Sequence, residues 1–210
     1  MMKTHSDSLP LESFKLVTFL SDFLQLIKFR LSISVVFSSL AGYLLAVDQI
    51  EFLTLLKLIF GGFALVGSSN AFNQWIEKDK DALMVRTKNR PLPTGRMNNF
   101  TALIIASSLA LLGILTLNNI NFKTALFGTL SIFIYICIYT PLKSVTPLSV
   151  FVGAFPGAIP FMLGWVAVTG NFGIEPGILF MLQFFWQFPH FWAIGWMSDE
   201  DYKKAGFKML

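Results

Sequence analysis

Long, nearly uninterrupted apolar runs constrain this chain more than any other feature of its sequence. An α-helix needs about 20 mostly apolar residues to cross a bilayer core. Six runs of that kind cover approximately residues 29–47, 53–75, 99–118, 122–140, 148–168 and 177–197. No alternating pattern competes with them, and backbone within lipid must satisfy its hydrogen bonds internally. The sequence therefore predicts an all-α fold, a polytopic transmembrane helical bundle with six spans.

The overall composition supports a membrane protein. Hydrophobic residues make up 54% of the chain and charged residues only 13%, whereas soluble domains carry about a quarter charged residues. The only cysteine, Cys137, lies in an apolar run, so an intrachain disulfide is excluded. The basic residues lie next to membrane spans, which argues against nucleic acid as a partner and leaves membrane lipid as the surroundings.

The distribution of positive charge predicts how the chain crosses the membrane. All basic residues except Lys57 and Lys123 fall in the N-terminal segment, the 76–98 connection, the 141–147 turn or the C-terminal tail. These segments lie on one side when the spans alternate, and the positive-inside rule assigns that side to the cytoplasm. We therefore expect residues 1–26 to form a cytoplasmic N-terminal segment and residues 27–210 to form the transmembrane domain, with both termini cytoplasmic.

The first acidic cluster lies within the segment NQWIEKDKDALMVRTKNRPLPTG. Asn73, Glu77 and Asp81 are spaced four residues apart, so on a helix they lie on one face. Two carboxylates and an amide oxygen are hard ligands suited to Mg²⁺. Asp79 is two residues off that face and reaches the same site only if the helix ends there. The alternative interpretation is a solvated helix end.

A basic run follows the first cluster at once. Arg86, Lys88 and Arg90 precede Pro91 and Pro93, which stiffen the connection. Arginine presents a planar donor fork to phosphate and lysine acts as a point charge. Carboxylates beside such cations at a membrane surface are typical of an enzyme that holds divalent cations and a diphosphate.

A second acidic cluster follows the sixth apolar run, in the segment WMSDEDYKKAG. Asp199, Glu200 and Asp201 are followed by Lys203 and Lys204. Both clusters fall on the predicted cytoplasmic side, so we expect two metal-binding edges that face each other across one cavity mouth. A polar cap after a hydrophobic span is the alternative interpretation.

These motifs resemble a known family. The first segment resembles the first aspartate-rich motif of the UbiA superfamily of intramembrane prenyltransferases. Its MxRTxxRPLPxG continuation, the YTPLK turn at 139–143 and the stretch WQFPHFWAIGWMSDEDYKKAGFKML resemble the haem-prenylating branch of that superfamily. The resemblance covers about residues 25–210. It implies a UbiA-type bundle in the cell inner membrane, with about nine spans in the family, so this chain is expected to be C-terminally truncated.

The resemblance also implies a reaction. A farnesyl group leaves farnesyl diphosphate with the help of Mg²⁺ and joins a vinyl group of haem B, and water completes the side chain of haem O. Haem A synthase or a terminal oxidase assembly is the protein partner that such a product implies.

The resemblance assigns roles to individual residues. Glu77 stands where the family usually has Asp, and Ser198 and Tyr202 stand where many members carry the second pair of Asp. The expected catalytic residues are Asn73, Glu77, Asp81, Arg86 and Lys143. The expected substrate contacts are Lys88, Arg90, Lys203, Lys204 and His190. The expected metal ligands are Asn73, Glu77, Asp79, Asp81, Asp199, Glu200 and Asp201.

His190 is the residue that we expect to contact haem. It lies in an apolar run between Pro189 and Phe191, and a buried imidazole is costly unless it is paired or ligated. Imidazole is a common axial ligand of haem iron. A hydrogen-bonded packing residue is the alternative.

Three other functions remain as alternatives. A sister prenyltransferase would use an aromatic or quinone-precursor acceptor, and a scaffold would handle haem without catalysis. A transporter is disfavoured, because transporters place broken helices at the midplane, whereas the charges here gather at one membrane face.

Overall fold

The structure, a computed structural model, describes residues 11–209, with side chains from residue 16 onward. Within that range the chain is helical and contains no strand. The helices are α1 (Leu11–Leu26), α2 (Phe29–Ala46), α3 (Phe52–Asp81), α4 (Asn99–Asn118), α5 (Phe122–Phe133), α6 (Thr140–Leu142), α7 (Ser149–Thr169), α8 (Ile174–Met197) and α9 (Asp199–Lys204), with a π-helical turn at Ile134–Tyr139 between α5 and α6.

The predicted all-α, polytopic class is confirmed. Across residues 11–209, five helical segments are long and apolar enough to cross a membrane, namely Phe29–Ala46, Phe52–Asp81, Asn99–Asn118, Phe122–Leu142 and Ser149–Thr169. The sixth predicted span is also a helix, α8, with 24 residues. It lies outside that set of five, and its apolar run is interrupted by Gln183, Gln187 and His190.

Helix α3 determines where the first acidic cluster lies. The helix has 30 residues and ends at Asp81, beyond the predicted boundary near residue 75. At 1.5 Å per residue it is about 45 Å long, longer than the roughly 30 Å hydrocarbon core of a bilayer. Its last turns therefore carry Asn73, Glu77 and Asp81 toward one end of the bundle.

The predicted N-terminal segment contains a helix that the apolar runs did not indicate. Helix α1 ends at Leu26, which is fully buried. Gln74 of α3 donates hydrogen bonds from Nε2 to the carbonyl oxygens of Gln25 and Leu26, at 3.0 and 2.7 Å. These bonds satisfy carbonyl groups that a helix end leaves without partners, and they dock α1 beside the first acidic cluster.

Glycines allow α2 and α7 to cross at close range. A Cβ atom on Gly42 would overlap the carbonyl oxygen of Phe161, and one on Gly164 would overlap the carbonyl oxygen of Ser39. Small residues permit such close backbone approach in lipid, where the hydrophobic effect gives no force between helices. Beside this crossing lies the largest cluster of buried apolar side chains, which includes Tyr43 and Met162.

Helix α7 continues through two prolines, Pro156 and Pro160. Pro160 has no amide hydrogen, so the carbonyl oxygen of Pro156 loses its partner within the helix. The hydroxyl of Ser131 on α5 donates to that oxygen at 3.4 Å. A neighbouring helix thus satisfies the freed carbonyl, as prolines in membrane helices require.

Candidate active site

The face of α3 that the four-residue spacing predicts is a buried polar face in the structure. Asn73, Glu77 and Asp81 are buried, with exposed fractions of 3%, 6% and 1%. The Asn73 Nδ2 atom donates to Glu77 Oε2 at 2.7 Å, so the predicted four-residue stacking is present. Asp79 is exposed, because α3 does not end before Asp81 and keeps Asp79 off this face.

Two ion pairs hold the carboxylates of this face. The Lys143 ammonium lies 2.5 Å from Glu77 Oε1, and both side chains are buried. Arg90 donates from Nη1 to Asp81 Oδ2 at 2.7 Å. Lys143 follows the short helix α6 and Arg90 lies in the loop after α3, so three separate segments converge on one group of charges.

Lys28 joins this group, although the sequence did not single it out as a site residue. It lies at the corner between α1 and α2, in the left-handed region with φ of 47°, a conformation that non-glycine residues rarely adopt. Its ammonium donates to Asn73 Oδ1 at 3.4 Å. Burial and, to a smaller extent, the positive charges of Arg90 and Lys143 lower the pKa of Lys28 to about 7.

The loop that carries Arg90 is anchored at both sides. Its Thr87 hydroxyl donates to the carbonyl oxygen of Asp81 at 2.8 Å. Further along, Arg96 donates from Nε to buried Asp22 of α1 at 2.9 Å and from Nη2 to the carbonyl oxygen of Asn89 at 3.0 Å. These bonds fix the loop on either side of Arg90. The other predicted cations of this loop, Arg86 and Lys88, are exposed.

The second acidic cluster lies at the same end of the bundle but has different partners. Asp201 accepts hydrogen bonds from the backbone N–H groups of Val85 and Arg86, at 3.0 and 3.2 Å. These two bonds lower the pKa of the Asp201 carboxyl. Asp199 pairs with Lys203 at 2.6 Å in an exposed salt bridge. Asp201 therefore binds the loop after α3.

The pair of facing metal edges expected from the two clusters stays a prediction. No group of three or more His, Cys, Asp or Glu side chains placed to hold a metal ion occurs within residues 11–209. Glu200 and Lys204 are exposed. The short helix α9 places its acidic residues toward the loop and solvent, because its buried contacts are made by Ala205 and Phe207 beyond its end.

Three oxygen atoms near the first cluster are buried without a hydrogen-bond partner in the described part of the chain, and of these Glu77 Oε1 has the ion pair with Lys143, which leaves Asp81 Oδ1 and Gln74 Oε1. A buried carboxylate oxygen without a partner is costly, and it has the chemistry of a ligand for a hard cation. Mg²⁺ usually takes one or two carboxylates and completes its coordination with water and substrate phosphate. Asn73, Glu77 and Asp81 fit this requirement.

A cavity of about 460 Å³ lies beside the charged group. Its wall is formed by α2, α3, α5, the π-helical turn, α7 and α8, and most of it is apolar. Tyr139 lines the cavity, and its ring centroid lies 5.0 Å from Lys143 Nζ. Tyr139 therefore links the cavity to the Lys143 ammonium, whereas the ion-paired side chains themselves are not among the residues that line the cavity.

His190 also lines this cavity. The expectation of a buried imidazole is not met, because His190 is exposed. Helix α8 buries Phe184 and Gln187 against the bundle, which leaves His190 at the cavity wall. Its contact with haem stays a prediction.

Several polar residues of the site were missed by sequence reasoning. Lys28 and Asn70 each have a hydrogen-bond partner that lies more than 40 residues away in the sequence. Thr140 lies between the cavity residue Tyr139 and Pro141, and its hydroxyl receives a 3.4 Å hydrogen bond from Asn73. The one available signal was a polar residue next to or inside an apolar run, which is a functional hypothesis by default.

Comparison with known proteins shows a family match over most of the chain. The UbiA prenyltransferase family matches residues 35–210. The protoheme IX farnesyltransferase of Christiangramia forsetii is 66% identical over 191 residues, which cover 91% of this chain and 64% of the relative. The protoheme IX farnesyltransferase of Flavobacterium psychrophilum is 64% identical over 193 residues, covering 90% and 64%.

A solved structure shares the fold. The UbiA homolog from Archaeoglobus fulgidus bound to DMAPP and Mg²⁺ superimposes with a TM-score of 0.75 at 18% identity, over 89% of this chain and 67% of that chain. The chain spans 64% of the length of the two curated relatives described above.

Proposed function

Because the chain belongs to the UbiA prenyltransferase family, we propose that it transfers a farnesyl group from farnesyl diphosphate to a vinyl group of haem B. The C–O bond to the diphosphate breaks and a C–C bond to the vinyl group forms, and water then adds to the resulting cation with release of a proton to give haem O. The observation that carries the proposal is the buried pair of ion pairs, Glu77–Lys143 and Asp81–Arg90, beside the 460 Å³ cavity. The similarity to two protoheme IX farnesyltransferases supports the choice of donor and acceptor.

The diphosphate fits the charged group. Lys28, Arg90 and Lys143 bring three basic side chains to two carboxylates, so the group carries a net positive charge for an anionic ligand when Lys28 is protonated. Arg90 offers a planar fork and the two lysines act as point charges. Held in place before the reaction, these cations stabilise the negative charge that develops on the departing diphosphate.

Magnesium belongs to the same proposal. Asn73, Glu77 and Asp81 would hold it, and Asp81 Oδ1 has no hydrogen-bond partner among the described residues. When bound, Mg²⁺ supplies positive charge to the leaving diphosphate. The Archaeoglobus fulgidus homolog, which was solved with DMAPP and Mg²⁺, supports this assignment. Metal roles for Asp79, Asp199, Glu200 and Asp201 stay predictions, as do substrate roles for Arg86, Lys88, Lys203 and Lys204.

The cavity is proposed to hold the farnesyl chain and the reacting edge of haem. Its largely apolar wall excludes water from an allylic cation, and the rings of Tyr135 and Tyr139 line it. Aromatic faces attract cations, and a dry site prevents premature attack by water. Gln187 and His190 bring polar groups to the same cavity from α8.

The orientation in the membrane is also proposed. The contact of Asp201 with Val85 and Arg86 brings the second cluster to the end of the bundle where α3 ends. That end carries the basic loop after α3, so the positive-inside rule assigns it to the cytoplasm of an inner-membrane protein. Labelling of cysteines introduced at Asp79 and at Asp48 would test the assignment, since Asp48 lies in the loop between α2 and α3.

The test of function is an assay of the purified chain in lipid nanodiscs with haem B, farnesyl diphosphate and Mg²⁺. Haem O is detected by mass spectrometry, and hydroxybenzoate is supplied in parallel as a competing acceptor. We expect haem O from the wild type, and a loss of about 100-fold or more in Asp81→Asn, because a group that holds charge in the transition state is removed.

The matched control is Asp48→Asn, which alters an exposed carboxylate in the loop between α2 and α3. It should retain full activity. Prenylated hydroxybenzoate without haem O would support a quinone-precursor acceptor. Haem binding without any turnover, unchanged in Asp81→Asn, would support a scaffold.

A further inference from the structure

The Lys143 ammonium lies between two aromatic rings as well as beside Glu77. Its Nζ atom is 5.0 Å from the ring centroid of Tyr139 and 5.1 Å from that of Phe207. Both rings are buried, with exposed fractions of 6% and 8%. Aromatic faces attract a lysine ammonium at such distances, more strongly where water is excluded. One carboxylate and two rings therefore surround this charge.

The position of Phe207 follows from the way α9 ends. Gly206 has a φ of 71°, in the left-handed region that favours glycine. The N–H of Gly206 donates to Lys203 O at 3.2 Å, and that of Phe207 donates to Tyr202 O at 2.9 Å. This is a Schellman motif, and the perpendicular contact between the Tyr202 and Phe207 rings, at 5.7 Å, completes it.

The same segment is attached to two of the three parts of the chain that carry site cations, those of Lys143 and Arg90. The N–H of Lys208 donates to the carbonyl oxygen of Lys143 at 2.7 Å. Asp201 holds the amides of Val85 and Arg86 in the loop that carries Arg90. The backbone next to the Phe207 ring is thus bonded directly to the residue whose ammonium the ring contacts.

We propose that Phe207 is a positioning residue that holds the Lys143 ammonium toward the diphosphate site. The proposal rests on the proposed function, in which Lys143 binds the diphosphate. A lysine side chain has four rotatable bonds, and ordering it costs conformational entropy. Phe207 reduces that cost by adding a third contact to the Lys143 ammonium, besides those of Tyr139 and Glu77. The segment WMSDEDYKKAG and the phenylalanine that follows it then support the site through Asp201 and Phe207, whichever carboxylate of the segment binds metal.

The first test compares Phe207→Leu and Phe207→Met with Phe207→Tyr in the full chain, in nanodiscs, by measuring binding of farnesyl diphosphate with Mg²⁺. Leucine and methionine keep an apolar side chain but remove the aromatic face, so affinity should fall about 3- to 30-fold. Tyrosine keeps the face and should bind within about twofold of wild type. Met209→Leu is the control, because Met209 is buried in the same cluster without a ring on Lys143.

A double-mutant cycle tests whether Phe207 acts through Lys143. In a Lys143→Met background, Phe207→Leu should cause no further loss of affinity. An equal loss with and without Lys143, or an equal loss in Phe207→Tyr and Phe207→Leu, would overturn the proposal.

A second measurement does not depend on the proposed function. In the ligand-free wild type, Lys143 should resist acetylation by acetic anhydride relative to Lys203, whose side chain is 74% exposed. Acetylation of Lys143 should rise at least about threefold in Phe207→Leu or Phe207→Met and stay low in Met209→Leu. Unchanged protection in every folded variant overturns the role of Phe207. Absence of farnesyl diphosphate binding by the wild type overturns the proposed function instead, and acetylation then decides the role of Phe207.

Discussion

Arg90 donates from Nη1 to Asp81 Oδ2 at 2.7 Å, and Asp81 is almost fully buried at the end of α3. The second oxygen of the same carboxylate has no hydrogen-bond partner in the described residues. One carboxylate thus neutralises a cation and keeps an oxygen available.

Replacing Arg90 by Gln should destabilise the protein. It leaves the Asp81 carboxylate buried without its counter-charge, which costs about 3–5 kcal/mol when one partner of a buried pair is removed. The double variant Arg90→Gln with Asp81→Asn should recover most of that stability but none of the activity. Thermal unfolding and haem O formation measure the two effects separately, and full recovery of both would contradict this role of the pair.

Replacing Gly164 by Ala should disrupt the crossing of α2 and α7. The new methyl group would overlap the carbonyl oxygen of Ser39 on the facing backbone, and we expect a loss of about 3 kcal/mol or failure to fold. Gly177→Ala is the matched control, since nothing lies within 4 Å of a Cβ at that position. Thermal unfolding in detergent is measured for both variants, and equal stabilities would show that the crossing tolerates a methyl group.

Replacing Asp22 by Asn should loosen the loop that carries Arg90. Arg96 would lose the charge of its partner on α1. The new amide at position 22 would be buried and poorly satisfied, which costs about 1–3 kcal/mol. The KM for farnesyl diphosphate should rise several-fold. Lys123→Gln, which alters an exposed contact with Asn171, should change stability by less than about 0.5 kcal/mol. A KM unchanged in Asp22→Asn would place this ion pair outside the site.

Replacing His190 by Ala should impair the use of haem and spare the diphosphate. Loss of one contact to a charged or polar partner corresponds to about a tenfold lower rate of haem O formation. Binding of farnesyl diphosphate with Mg²⁺ should stay within about twofold. Met181→Ala on the exposed side of α8 is the control, and normal haem O formation by His190→Ala would refute a role for His190 in haem use.

The apolar runs predicted the helices because a segment in lipid has few alternatives to a helix. The four-residue spacing of Asn73, Glu77 and Asp81 predicted their common face, because that spacing follows the helical period. Both inferences depend on local geometry alone. Helix α1 was missed because its apolar part, Leu16–Leu26, is too short to be recognised as a span.

The sequence by itself thus determined the helical class, the spans and the acidic face of α3. Only the tertiary structure decided which cations meet that face. Lys28 and Lys143 lie 45 and 66 positions from their partners Asn73 and Glu77, and no spacing rule relates residues on different helices. Likewise, the sequence identifies Asp201 as a carboxylate but does not identify its partners. Those partners follow from the packing of α9 against the loop after α3. Local periodicity specifies a face, whereas the contacts of that face depend on how the helices pack.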